Sequence, residues 1–375
     1  MKTLICLVLA AVAIGLVIFL AIRPAQQPAN RRAPPEEAIP TVDQPYLPPK
    51  GYVCYRATKP IIIDGKLDDE AWAAAPWSDD FVDIEGDKKP NPRFRTRVKM
   101  LWDDGCLYIA AELQEPHIGA LLTKHDSYIF HEDHDFEVFL DPDGDSHLYA
   151  ELEMNALNTT WDLLLTKPYK DGGKAIDAWE IDGLRTAVHV DGTLNDASDT
   201  DRGWTIEIAW PWKGLKQIAA CPVPPRDGDQ WRINFSRVEL THKFRDGRYR
   251  KVKGSVEENW VWTPQGAINM HMPERWGYLQ FSAAKPGTVA FRPDPAGPAK
   301  HALHRIYYAQ AEYRNKHGCW ATDLKQLGLA NLRGENFGPT RLETTSTRYE
   351  ASVEVELPGR KERWHIESDA RVWKE

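Results

Sequence analysis

The 375-residue chain carries a formal charge of −8 and 15 tryptophans, with a pI near 5.9. A mild acidic excess without clustered Lys and Arg excludes a nucleic-acid-binding surface. So many tryptophans suit a large core, and also a ligand with flat, weakly polar faces such as a sugar.

After Met1 and Lys2, the run from Thr3 to Ile22 contains no charge and is long enough to span a bilayer as a helix. Residues 1–22 therefore read as a signal peptide or membrane anchor, and everything beyond them as exported. Arg23-Pro24 follows at once where a small-residue cleavage site would be needed, which favours an uncleaved anchor. Residues 23–50 are a Pro-rich linker that lifts the remainder off the membrane. Cys54, Cys106, Cys221 and Cys319 form no C-x-x-C pair, so zinc and thioredoxin-type chemistry are not expected; disulfides and isolated thiols both remain open.

Residues 51–283 alternate apolar and polar side chains strand after strand, with almost no helical period. Val98, Met100 and Trp102 share one face, and Asp103-Asp104-Gly105 turns the chain into Leu107 to Leu113. A second hairpin places Phe136, Val138 and Leu140 inward, turns at Asp141 to Asp145, and returns with Leu148, Ala150, Leu152 and Met154 inward. Further strands are expected at 186–190, 204–210 and 231–238. This pattern predicts an antiparallel β-sandwich. Residues 284–298 form a second linker. From 299 to 375 a small α+β region follows: a helix with Pro298 in its first turn and Gly318 as its stop, a short helix over 321–327, and a hairpin of 349–357 and 364–373 around Pro358-Gly359. This region is a candidate docking module for a protein partner.

Four segments carry a family likeness: Ile63-Asp64-Gly65-Lys66-Leu67-Asp68-Asp69-Glu70-Ala71-Trp72; Met100-Leu101-Trp102-Asp103-Asp104-Gly105-Cys106-Leu107-Tyr108-Ile109; Asp133-His134-Asp135-Phe136-Glu137-Val138-Phe139-Leu140-Asp141; and Arg275-Trp276-Gly277-Tyr278-Leu279-Gln280-Phe281. In this order they resemble the carbohydrate-binding module family nine sandwich, in the broad group that includes DOMON-type domains. The resemblance implies non-catalytic binding of a sugar or polysaccharide end. In sugar-binding members two tryptophans sandwich the terminal sugar and a Glu bonds its hydroxyls. Glu137 matches that Glu; His131, or Phe130 with a one-residue slip, stands where the first tryptophan would be; Trp262 is chosen as the second platform, with Trp260 as its alternate.

The residues themselves add Arg232, on the alternate face of its strand, and Asn155, which reads equally as a turn stabiliser. Arg232 and Arg237 also read as ion-pair partners of Glu151 or Glu207. Asp141, Asp143 and Asp145 could gather around a structural calcium, although an Asp-Gly turn writes the same letters; Asp196, Asp199 and Asp201 carry the same ambiguity. No G-x-S-x-G, H-E-x-x-H or phosphate-binding loop is present. A hydrolase acting on O-glycosyl bonds through Glu137 with Glu151 or Glu153 is one alternative. A second is a b-type haem carrier using Met100, Met154, Met270, His271 or Met272. A third is a structural surface scaffold.

Overall fold

Apolar alternation sets out the strands of the structure, a computed structural model describing residues 46–375. The segment at 1–22 and most of the linker at 23–50 lie outside the described residues. Among the described residues no helix is long and apolar enough to cross a membrane.

The strands are β1 (Gly51–Arg56), β2 (Val82–Asp83), β3 (Thr96–Trp102), β4 (Cys106–Gln114), β5 (Asp135–Asp141), β6 (Tyr149–Asn155), β7 (Thr160–Leu165) and β8 (Ala175–Ile176). They continue with β9 (Arg185–Asp191), β10 (Gly203–Pro211), β11 (Gln230–Glu239), β12 (His242–Arg245), β13 (Arg248–Lys251), β14 (Glu258–Val261) and β15 (Gly277–Ser282). One hydrogen-bonded path runs β8-β7-β6-β5-β11-β15-β1-β3-β4-β10-β9, with β14 pairing β11 and β2. The path curls into a sandwich, because Val98, Met100 and Ile206 of one half share a core with Phe136, Val138 and Leu152 of the other. Expected strand and turn positions match closely, with one exception in direction. β1 runs parallel to both β15 and β3, where an antiparallel arrangement was expected. Long stretches of chain separate β1 from both neighbours, so no tight turn forces it to reverse. Leu148 also departs from expectation: at φ 48 it belongs to the turn and is 45% exposed.

The first two motif segments are explained by backbone anchoring. Glu207 on β10 accepts hydrogen bonds from the Asp64 and Gly65 amides at 2.9 and 2.8 Å and from Trp72 Nε1 at 2.7 Å. Trp72 lies in the one-turn helix α1 (Glu70–Ala73) and is fully buried. Gly65 sits at φ +85, and a Cβ there would come within 2.5 Å of the His189 amide nitrogen, so only glycine fits. Asp103 plays the corresponding part in the first hairpin: Oδ1 accepts from the Gly105 and Cys106 amides, and Oδ2 from Tyr108 Oη at 2.9 Å. Asp103→Ala is expected to cost about 2 kcal/mol, since three donors lose their acceptor; a urea midpoint equal to that of the parent protein would contradict this role.

A second apolar layer covers the opposite face of β5, β6, β7 and β11. Phe139, Tyr149 and Trp161 pack there against Ile129, Val261 and Trp276. Beyond β15 the segment 284–298 is packed on the sandwich, with the Phe291 ring lying where a Cβ on Gly51 would be, 2.3 Å away. Helix α2 (Gly297–His317) follows, with Pro298 in its first turn and Gly318 at φ 72 as its stop. Leu303, Ile306 and Tyr307 are buried as the spacing requires, and Tyr313 is half-buried. No helix forms over 321–327. Turns replace it, held by the Gln310 side chain on the Ala321 backbone and by Gln326 on the Thr322 amide. The remaining strands are β16 (Phe337–Thr344), β17 (Tyr349–Leu357), β18 (Arg360–Glu367) and β19 (Val372–Lys374), in that order in one sheet. β17 and β18 form the expected hairpin around Pro358-Gly359, but the second strand starts earlier and the chain folds back again as β19. The core under α2 includes Ala267 and Met272 from the sandwich, so the C-terminal region shares its interior with the sandwich. All four described cysteines are free thiols, Cys54 and Cys106 being buried.

Candidate functional site

The third motif segment builds a dense group of buried acidic side chains. Strand parity turns Asp135, Glu137, Phe139 and Asp141 of β5 to the covered face, where Glu137 stands directly across from Glu153 on β6 and from Ser236 on β11. Most of the segment's acids are anchors. Asp133 accepts from the Leu121 and Leu122 amides and from Asn155 Nδ2, and Asp135 from the Val238 amide. Glu137 has no comparable backbone partner. Glu137, Glu151 and Glu153 lie on the face opposite the inward set of this hairpin and are nevertheless 4, 5 and 2% exposed, because the loop holding Ile129 and the segment after β14 lie over them. Carboxylate oxygens of Asp135, Glu137 and Glu153 fall within 4.8 Å of one another. Burial pushes Glu137 up to about 7, and the Glu257 charge adds to it. Burial, then the surrounding carboxylates, pushes Asp135 and Glu153 up as well. Each of the three carboxyls therefore holds its proton to a higher pH than a free carboxyl does.

Above it, the loop 117–134 carries an aromatic group. The Phe130 amide donates to Glu153 Oε2 at 3.2 Å, which sets the loop on the carboxyl cluster. Phe130 and His131 have ring centroids 3.7 Å apart, and Tyr128 stands edge-on to Phe130, His131 and Trp161 at 5.0 to 5.6 Å. Tyr128 is 41% exposed. His131 Nδ1 pairs with Glu257 at 2.9 Å, and Lys251 from the β12–β13 hairpin bonds both Glu257 and the His131 carbonyl. The result is an accessible aromatic patch rimmed by a carboxylate and an ammonium. Phe130 and His131, both named from the sequence, fall in this patch and Glu137 lies beneath them; Tyr128, Lys251 and Glu257, which share the patch, were not singled out. The exposed Tyr three residues before His131 was the available signal.

Other expected site residues lie elsewhere. Trp260 and Trp262 are each 2% exposed and belong to the main core. Trp262 packs on the bare backbone of Gly277, where a Cβ would lie 2.4 Å from its ring, so neither indole presents a platform to a sugar. Asn155 spends both ends internally: its amide donates to Leu122 O and Asp133, and its oxygen accepts from the Leu157 and Thr159 amides. Arg232 donates to Trp276 O at 2.7 Å and lies 3.9 Å over the Tyr278 ring. It lines a separate cavity of 280 Å³ with Tyr46, Lys300 and His304. Arg237 pairs with Glu115 and Glu239, where Glu151 or Glu207 had been expected.

Asp141, Asp143 and Asp145 do converge, but turn amides occupy them. Gly144 and Ser146 donate to Asp141, Ala220 to Asp143, and His147 and Arg371 to Asp145. Asp196 and Asp201 likewise bind backbone amides, of Ser198 and of Ile118 and Thr193, while Asp199 takes the Thr193 hydroxyl. These are turn geometries. Met100 and Met154 fill the main core, Met270 the covering layer and Met272 the C-terminal core, while His271 is bonded to Tyr149. That distribution is core filling.

Residues 63–247 match the family model described as Carbohydrate family 9 binding domain-like, so this part of the chain, on a mainly β sandwich, is similar to a family nine module. Three of the four motif segments fall inside the match; the strand at 275–281 lies outside it. No curated protein matches the chain. Among solved structures, the chain is similar to a carbohydrate binding module family 9 from Caldicellulosiruptor kristjanssonii in complex with cellotriose, at 16% identity over 65% of this chain and 100% of that one, with a TM-score of 0.39. The same organism's module in complex with glucose matches at 16% identity over 64% of this chain and 100% of that one, with a TM-score of 0.38.

Proposed function

We propose that the protein binds carbohydrate without converting it, at the patch formed by Tyr128, Phe130 and His131. The family match over residues 63–247 supports the ligand class. The observation that carries the site is Tyr128, an aromatic ring left 41% exposed at the centre of a ring cluster, beside Glu257 and Lys251. Stacking on pyranose C–H faces needs such a ring, and hydroxyl recognition needs charged hydrogen-bonding groups at its rim. Phe130 and His131 offer less area than tryptophan, so affinity should be modest. Membership of the wider DOMON-type group is part of the same proposal. We also take residues 1–22 as the export or anchoring segment, which sets the site on the outer side of the cytoplasmic membrane.

A glycan array probed with the full chain tests this reading. Binding to a defined set of sugars is expected, weakened roughly tenfold by Tyr128→Ala, which corresponds to about 1.4 kcal/mol, and also weakened by His131→Ala. An array without signal would refute carbohydrate binding. A signal untouched by both substitutions would move the site elsewhere.

A further inference from the structure

A second cluster lies beside the aromatic patch and was not visible in the sequence. His125 Nδ1 is 3.0 Å from the Thr160 carbonyl oxygen. A carbonyl only accepts, so this nitrogen carries the hydrogen and Nε2 faces the other way. Facing Nε2 are three carboxylates: Glu180 Oε2 at 3.1 Å, Asp126 Oδ1 at 3.3 Å and Asp162 Oδ1 at 3.8 Å.

Asp162, on β7, is 1% exposed. Its Oδ2 accepts from the Ile181 amide at 2.6 Å, which fixes the side chain, while Oδ1 is buried with no hydrogen-bond partner. An orphaned buried carboxylate oxygen is costly and calls for an explanation. Even a charged His125 would leave the three carboxylates in excess, and Lys124 and Asp177 close by oppose each other. A dipositive ion would resolve both problems.

We propose that His125 Nε2, Asp126, Asp162 and Glu180 hold a divalent cation of the zinc or manganese type. An imidazole nitrogen among carboxylates selects such ions over calcium or magnesium. An Nδ1–H bound to a backbone carbonyl is the supporting bond typical of metal-bound histidine. The ion would fasten the loop that presents Tyr128 to β7, because Trp161, between Thr160 and Asp162, contacts the Tyr128 ring at 5.1 Å. The proposal stands independently of the carbohydrate reading.

Calorimetric titration of the chelator-stripped full chain with Mn²⁺, and separately with Zn²⁺, is the test, followed by thermal melts of the loaded and stripped protein. One ion per chain and a higher melting temperature on loading are expected. His125→Gln, at a half-exposed side chain, and Glu180→Gln should each weaken binding at least tenfold and abolish the thermal shift. Asp143→Asn, in the Asp141 to Asp145 turn, should leave both unchanged. Absence of saturable binding, a preference for Ca²⁺, or binding that His125→Gln leaves intact would overturn the proposal.

Discussion

Replacing Arg237 with alanine is expected to lower stability by about 3–5 kcal/mol, the usual cost of leaving a buried charge without its partner. The Arg237 side chain is fully buried, and its Nη2 lies 2.7 Å from Glu115 Oε2 and 2.8 Å from Glu239 Oε2. Nη1 donates to Gln114 O and Thr96 Oγ1. His134 completes the network, with Nδ1 3.2 Å from Glu115 and Nε2 bonded to Leu240 O. Burial opposes a charge on His134, but Glu239 and Glu115 overcome it and hold its pKa above the ordinary histidine value. Burial also works against a charged Glu115, yet His134 and Arg237 bring it down to about 2. Arg237 and a His134 biased toward its charged form thus face Glu115 and Glu239, the latter pushed up by burial. His242, stacked on His134 at 4.1 Å, is kept neutral, its pKa lowered to about 3 by burial and then by the His134 charge. Without Arg237 the buried Glu115 keeps only His134 facing it, while Glu239 still has His134 and the half-exposed Arg93. Arg97→Ala, which removes a half-exposed partner of Glu112, should cost no more than about 1 kcal/mol. Urea unfolding of both variants decides the matter, and equal midpoints would show that the buried network contributes nothing particular.

Alternation makes the strands and their faces legible in the sequence, because side-chain parity depends only on local backbone geometry. It puts Glu137 and Glu153 on one face, and Val98 and Met100 in the core. Parity cannot say what covers a face. The layer over Glu137 comes from segments around Ile129 and Trp276 that have no periodic signal, so a face that alternation alone would leave to solvent is a buried acid cluster. Trp262 shows the same limit from the other side. Its motif position suggests a platform, while its burial rests on the missing side chain of Gly277, a contact with no local signature. Arg237 and Glu115 are 122 residues apart in sequence, and the members of the His125 cluster come from three separate segments. Each of those residues reads alone as an ordinary surface charge. By contrast, the motif acids Asp103 and Asp133 anchor nearby backbone, and such short-range roles leave a readable pattern.

Glu137→Gln should stabilise the protein at pH 8 and leave it unchanged near pH 4. Glu137 is pushed from 4.5 up to about 7, so between those values the folded state holds a proton that the unfolded chain has released. Unfolding then releases that proton, and stability falls as pH rises across this window. Below it the contribution is complete; above it the folded protein carries a buried charge beside Glu153 and Asp135. A shift of this size corresponds to roughly 3 kcal/mol at 1.36 kcal/mol per pH unit. The glutamine amide matches the shape of the protonated carboxyl and never charges, so it escapes the penalty at high pH. Thermal melts of both proteins at pH 4 and pH 8 should coincide at the lower value and separate at the higher, with the variant melting later by roughly 5–10 °C. A variant that melts earlier at pH 8 would mean that Glu137 is charged and satisfied by a partner. That outcome would replace the picture of a proton-sharing cluster under the aromatic patch with one of a buried anion, and it would make Glu137 an acceptor only. The loop that carries Phe130 and His131 is bonded to the cluster through Glu153, which accepts from the Phe130 amide at 3.2 Å, so the charge state of Glu137 acts on that loop through its carboxyl neighbour.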